Sequence, residues 1–346
     1  MCNIGGYIGN ENAASVLLEM MEKQEGFGGG HYSGIATLHE GKIYHAKVVG
    51  NFATLRKETD AEKFPGNIGI AHSRPGMGGD REWAHPFVND TETMVYLVNG
   101  HPGFFEDAEN EKKILKKLLN RGQKFRTASE NKRAEHSSYP ILPDGKYIHA
   151  SELMCHYISF LMDENKKPVN AMRNAFVTYP AEIAGLCLFK SMPDKIIASR
   201  FNQPMMLGFS KNAAYMASTA MAFPENKDIE IINPMPVSCT AVISKTGMEL
   251  FPFKPIHGRV ANVFPYSEAC EIILKTLSKD DGRTLQDLKN ATAPLWARDA
   301  ASQKDMLVYE IIRGLYSRDR ITCKDFIIEG MNGTMASQKK IYLKQE

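Results

Sequence analysis

A chain of 346 residues is too long for one hydrophobic core and predicts two domains of unequal size, while 42 basic against 40 acidic side chains leave no global field to recruit nucleic acid or an anionic membrane. Six cysteines (Cys2, Cys155, Cys187, Cys239, Cys270 and Cys323) stand far apart, with no C-x-x-C pair and no Cys/His cluster at zinc-ligand spacing. The composition therefore predicts a reduced cytoplasmic protein with neither metal nor cofactor. The absence of any run of about 18 apolar residues, and of an apolar stretch near the start, predicts no membrane span and no signal peptide.

In chain order, Ile4–Ile8 reads as a short strand and Ala13–Gln24 as a helix with Val16, Leu17, Met20 and Met21 on one face, ended by a glycine-rich breaker at Gly26–Gly30. Gly34–Leu38 and Lys42–Val49 form a hairpin around His39-Glu40-Gly41. Two apolar runs, Asn67–His72 and Met94–Val98, read as buried strands that deliver Arg74 and Asn99 at their ends, where sites are commonly built. Helices are expected over Glu106–Asn120, Glu152–Asp163 and Val169–Val177. From Ala181 the pattern turns to closely spaced strands: Ile183–Lys190, Lys195–Ser199, Met205–Gly208, Ala213–Ala217, Asp228–Ile232, Val237–Ser244 and Met248–Phe253. Sheets packed on each other and flanked by helices follow, an α+β chain compatible with a four-layer αββα sandwich. After Pro255 the texture becomes helical, and Glu271–Asp280 resembles Glu310–Asp319. Each copy is followed by a short helix-like segment, at Thr284–Lys289 and Thr322–Ile327, which predicts two helix-turn-helix-like repeats. This tail carries 15 Lys/Arg and 12 Asp/Glu after Phe253, a balance that favours packing or homo-oligomerisation through these helices over DNA binding.

Chemistry is suggested by the start, Met1-Cys2-Asn3-Ile4-Gly5-Gly6. Removal of Met1 would leave Cys2 with a thiol, ordinarily near ~8.5, beside an α-amine near ~8 able to take its proton, so nucleophile and base share one residue and no histidine is needed. Such a site attacks an amide carbonyl and passes a thioester to water, provided an oxyanion is stabilised. Val98-Asn99-Gly100 offers an amide and a backbone N–H as fixed donors, although Asn-Gly is also an ordinary turn. Gly69-Ile70-Ala71-His72-Ser73-Arg74 hands an arginine to a glycine-rich loop, where a guanidinium can clamp a carboxylate or form an ordinary surface ion pair.

Taken in this order, Met-Cys-x-Ile-x-Gly, Gly-Ile-Ala-His-Ser-Arg, Ala84-His85-Pro86-Phe87 and Val98-Asn99-Gly100 resemble the class II glutamine amidotransferases, above all the glutaminase half of the glucosamine-6-phosphate synthases. The likeness continues through Ile197-Ala198-Ser199-Arg200, Pro204-Met205-Met206-Leu207-Gly208, Ala217-Ser218 and Lys245-Thr246-Gly247, and so covers residues 1–253, leaving 254–346 as a helical tail. The resemblance implies an N-terminal nucleophile hydrolase fold. It further implies that Cys2 is the nucleophile, that Asn99 and Gly100 form the oxyanion hole, and that Arg74 and Gly78 lie on the substrate.

This chain departs from the family pattern at several points. Asn3 stands where glycine is usual. The tryptophan, threonine and histidine that normally follow the arginine are replaced by Pro75-Gly76-Met77-Gly78-Gly79. Ala150 occupies the place of an aspartate that pairs the glutamine ammonium, and an insertion over Arg126–Tyr147 makes Asp144 the candidate replacement. Gly28-Gly29-Gly30-His31-Tyr32-Ser33-Gly34 also differs from the family's Arg-Gly-x-Asp-Ser-Ala-Gly. Three readings stay open: a glutaminase that supplies ammonia to a separate synthase subunit, a Cys2 amidohydrolase acting on another small amide, and a catalytically weak ligand sensor or scaffold whose tail engages a partner or DNA. His72, His85 and His101 are expected to be packing residues with satisfied rings, and Tyr32 and Trp83 either line or fill the pocket.

Overall fold

Strands buried on both faces organise the first two thirds of the chain. The computed structural model describes residues 2–101, 108–130, 139–254, 265–278, 280–296 and 303–344. A seven-stranded sheet joins β1 (Asn3–Ile8), β2 (Tyr32–His39), β3 (Lys42–Val49), β4 (Ile68–Arg74), β9 (Met206–Ser210), β10 (Ala213–Ala217) and β11 (Ile231–Pro234) in the order β11-β9-β10-β1-β4-β2-β3. A six-stranded sheet joins β5 (Phe87–Val88), β6 (Met94–His101), β7 (Glu182–Phe189), β8 (Ile196–Arg200), β12 (Cys239–Ser244) and β13 (Gly247–Pro252) in the order β13-β12-β8-β7-β6-β5. The pairings are antiparallel, with Gly5 opposite Ala217 and Ala71 at the centre of the first sheet, and Asn99 opposite Ala184 in the second.

Side-chain alternation decides what each face meets. Ile4 and Ile8 of β1, Ile68 and Ile70 of β4 and Met216 of β10 share one apolar cluster with Val95, Leu97, Leu186, Leu188 and Ala198 of the second sheet. The opposite faces are covered by helices. Tyr7, Ile35 and Tyr215 pack with α1 (Ala13–Gln24) and α2 (Phe52–Glu58), while Tyr96, Ile183 and Phe189 pack with α3 (Ala108–Asn120), α4 (Ala150–Asp163) and α5 (Pro168–Thr178). The helix starts have local causes: Asn12 accepts from the Ser15 N–H at 2.9 Å, Asn51 from the Thr54 N–H at 2.9 Å, and Pro168 opens α5.

The last segment contains α6 (Tyr266–Thr276), α7 (Leu285–Thr292) and α8 (Gln303–Ser317), followed by a hairpin of β14 (Ile321–Glu329) and β15 (Met335–Leu343). The expected helix at Thr322–Ile327 is therefore a strand. Ile321, Thr322, Ile327 and Ile328 are β-branched, and the paired strand β15 supplies hydrogen bonds a short isolated helix would lack. The two repeat copies thus diverge after their first helix, and only α6–α7 keeps the helix-turn-helix form, closed by a reciprocal capping box between Thr284 and Asp287. The strand expected at Asp228–Ile232 sits later, at Ile231–Pro234, and the expected start of α3 at Glu106 lies outside the described residues. No helix among the described residues is long and apolar enough to cross a membrane.

Candidate active site

Cys2, Asn99 and Gly100 come together where β1 begins and β6 ends. The Cys2 N–H donates to Asn99 Oδ1 at 3.2 Å. That bond orients the Asn99 amide, and its Nδ2 is buried with no acceptor among the described residues. An unpaired buried donor costs free energy, so this amide is poised for an oxygen that arrives with a ligand. Gly100 supplies a second donor, its N–H reaching the Cys2 thiol, from a backbone held at φ 101°, a conformation suited to glycine. Burial pushes the thiol above its ordinary value and outweighs the opposing pull of Arg74 and the Gly100 N–H. A base is consequently required before Cys2 can act as a thiolate.

No neighbouring histidine can be that base near neutrality. His72 and His85 stack with ring centroids 3.9 Å apart. Burial lowers His72 to about 3 and places His85 well below its ordinary value, so both rings stay neutral. His72 Nε2 lies 3.0 Å from the Val98 carbonyl, which satisfies that atom. Packing is the role expected of these rings, but satisfaction is not complete: neither nitrogen of His85 has a partner among the described residues. Nothing is described for the His101 side chain.

Arg74, 2 % exposed at the end of β4, has its guanidinium 4.6 Å from the Tyr32 ring centroid. Both terminal nitrogens donate to the Gly78 carbonyl at 3.2 Å, and one also reaches the Trp83 carbonyl at 3.4 Å. This corrects the surface ion-pair alternative: the charge is buried, its neighbours are neutral carbonyls and a ring, and no carboxylate pairs with it among the described residues. Gly78 acts here through its carbonyl, as an anchor for the guanidinium. Tyr32 and Trp83 support the same loop, with the Tyr32 hydroxyl donating to the Gly79 carbonyl at 2.9 Å and the Trp83 indole donating to the Thr127 carbonyl at 2.9 Å.

Asp144 stands elsewhere in character. It lies on a turn, its side chain 54 % exposed, accepting from the Lys146 N–H at 3.2 Å and paired with Lys146 Nζ at 3.2 Å. No described contact joins it to Cys2, Arg74 or Asn99. The buried carboxylate of this region is Glu152 instead, which accepts from the Arg126 N–H at 2.8 Å and the Thr127 N–H at 3.1 Å. These bonds fold the inserted segment onto α4, where Ala150 is the first residue. Among the described residues no cluster of His, Cys, Asp or Glu side chains could hold a metal ion.

Sequence reasoning passed over the supports of β1. The Ile4 N–H donates to Ser218 Oγ at 3.0 Å, Gln24 Nε2 donates to the Ile4 carbonyl at 2.9 Å, and Asn3 Nδ2 donates to the Tyr309 hydroxyl at 3.0 Å. All three partners are distant in sequence, so no local pattern could have announced them.

No protein-family model matches the chain. It is 30 % identical over 230 residues to the isomerizing glutamine–fructose-6-phosphate aminotransferase of Pyrococcus horikoshii, covering 64 % of this chain and 33 % of that protein. It is 26 % identical over 257 residues to the enzyme of the same name from Thermosynechococcus vestitus, covering 73 % and 37 %. The chain thus spans little more than a third of the length of these relatives. Among solved structures, the glutamine phosphoribosylpyrophosphate amidotransferase from B. subtilis, complexed with ADP and GMP, superposes with a TM-score of 0.57 at 17 % identity, covering 78 % of this chain and 52 % of that one. A structure described as the allosteric regulatory enzyme of purine biosynthesis superposes with a TM-score of 0.59 at 17 % identity, covering 90 % and 63 %. These structural likenesses concern the fold.

Proposed function

We propose that this chain is a class II glutamine amidotransferase that hydrolyses the side-chain amide of glutamine through Cys2 and hands the ammonia to a partner synthase. One observation carries the reading: the buried, unpaired Asn99 Nδ2 beside a thiol that already meets the Gly100 N–H. With Cys2 as the first residue, its α-amine takes the thiol proton and the thiolate adds to the amide carbon. Asn99 Nδ2 and the Gly100 N–H then share the charge on the tetrahedral oxygen. The ammonium formed at Cys2 returns its proton to the departing nitrogen, ammonia leaves, and water hydrolyses the thioester to glutamate. The neutral, buried His72 and His85 take no part in proton transfer.

Arg74 would meet the substrate carboxylate, since no carboxylate pairs with its charge among the described residues. The fold behind this reading is a four-layer αββα sandwich of the N-terminal nucleophile hydrolase type, supported by one apolar cluster between the sheets and one on each outer face. Residues 1–253 would form the amidotransferase domain and 254–346 a separate C-terminal unit.

A second reading, a Cys2 amidohydrolase on a different small amide, is favoured by the exposed, Lys146-paired state of Asp144. That carboxylate is spent on a lysine, and Ala150 offers none, so the ammonium of glutamine has no designated partner among the described residues. Ammonia release from protein verified to begin at Cys2, given glutamine or asparagine beside a Cys2→Ala control, tests both readings. Glutamine turnover lost in the control supports the first. Turnover of another amide alone supports the second, and no turnover of any amide by the free thiol overturns both.

A further inference from the structure

Two departures from the family pattern, Asn3 and the glycines at 28–30, meet the same part of the molecule. The Asn3 amide is fully buried with both ends used. Its Oδ1 accepts from the Gly28 N–H at 3.2 Å, and its Nδ2 donates to the Tyr309 hydroxyl of α8 at 3.0 Å. Tyr309 is also fully buried and packs edge-on against Phe27, with centroids 6.3 Å apart. Phe27 belongs to the apolar cluster of the C-terminal segment, together with Ile273, Leu288, Ile312 and Leu315.

Strand β15 grips the same loop from its other side. The Ser337 N–H donates to the Gly30 carbonyl at 3.1 Å and the Lys339 N–H to the Gly26 carbonyl at 2.9 Å. A Cβ on Gly30 would lie 2.3 Å from the Ser337 carbonyl oxygen, so the strand can approach only a glycine there. The family's usual glycine in place of Asn3 would have no side chain with which to reach α8.

Consecutive residues are therefore held from opposite quarters, Cys2 by Asn99 and Asn3 by Tyr309. We propose that Asn3 and Tyr309 are a positioning pair that makes the C-terminal segment part of the nucleophile's setting, so that loss of the Asn3–Tyr309 hydrogen bond itself alters the reactivity of the Cys2 thiol. Neither residue touches substrate; both act through the backbone on which Cys2 stands. The turnover arm of the test rests on the glutaminase reading, whereas the thiol-labelling arm does not.

The test uses full-length protein verified to begin at Cys2, with Tyr309→Phe, Asn3→Gly, the double variant and Leu315→Ala. Iodoacetamide labelling of Cys2 is followed by mass spectrometry between about pH 6 and 10, beside kcat and KM for glutamine. Tyr309→Phe strands a buried amide donor and loosens the turn, so labelling rises about fivefold while kcat falls about tenfold and KM stays within about twofold. Removing both partners relieves the stranded donor, and the double variant behaves like Asn3→Gly alone. Leu315→Ala weakens the same helix's packing without touching the pair, and labels like wild type. Labelling of Tyr309→Phe within about twofold of wild type, equal acceleration by Leu315→Ala, or additive effects of the two pair variants would each overturn the proposal. Should wild type show no glutamine turnover, labelling alone decides the pair and the glutaminase reading falls separately.

Discussion

Replacing Glu25 by glutamine will make the protein's stability less dependent on pH. Glu25 is 6 % exposed, follows α1, and accepts from the Phe52 N–H at 3.1 Å and the Ser337 hydroxyl at 2.9 Å. Burial raises its carboxyl from 4.5 to about 7; the two hydrogen bonds and Lys339 oppose that rise, and Glu22 adds to it. The fold thus retains a proton that the unfolded chain releases near 4.5, so this group's contribution is fully present below pH 4.5 and is lost as pH rises through about 7. At about 1.4 kcal/mol for each tenfold change in proton affinity, that rise corresponds to about 3 kcal/mol. Glutamine keeps the shape and does not titrate. Urea unfolding followed by the fluorescence of buried Trp83, at a series of pH values from about 4.5 to 8, gives the difference between variant and wild type, in which the other titrating groups largely cancel. That difference should shift in the variant's favour by about 3 kcal/mol across the series. A difference that stays flat within about 1 kcal/mol would refute the buried, protonated carboxyl.

Arg74→Lys should lower kcat/KM for glutamine by about 10- to 150-fold, because an ammonium cannot give a carboxylate two parallel bonds while also holding the Gly78 carbonyl. Retention of activity within about threefold would leave Arg74 as a tie for the loop only. Asp144→Asn should leave the KM for glutamine within about twofold of wild type, since the exposed carboxylate is engaged by Lys146. A large rise in KM would bring that turn into the substrate site.

What could be read from the sequence followed the range of the interactions. Helix α1 was legible to its ends because its apolar spacing and the glycine breaker beyond Gln24 are both local. Arg74 and Asn99 were legible as strand-end residues because buried runs lead directly into them. Asp144 was chosen for chemistry and chain position alone, without weighing Lys146, which stands two residues on and occupies it. The hairpin β14–β15 escaped notice because each strand is polar or exposed along much of its length and gains its definition from the other. Asn3 looked like an intruder in a glycine's place, and its meaning lay in a tyrosine 306 residues away.

That span bears on how the molecule is completed. Two contacts between the N-terminal region and the C-terminal segment join residues separated by 306 and 312 positions, Asn3 to Tyr309 and Glu25 to Ser337. During synthesis Asn3 and Glu25 emerge long before α8 and β15, so these contacts cannot close until about 300 further residues have left the ribosome. Such late, long-range closure is slow relative to local pairing. It leaves Asn3 and Glu25 without these partners until α8 and β15 arrive.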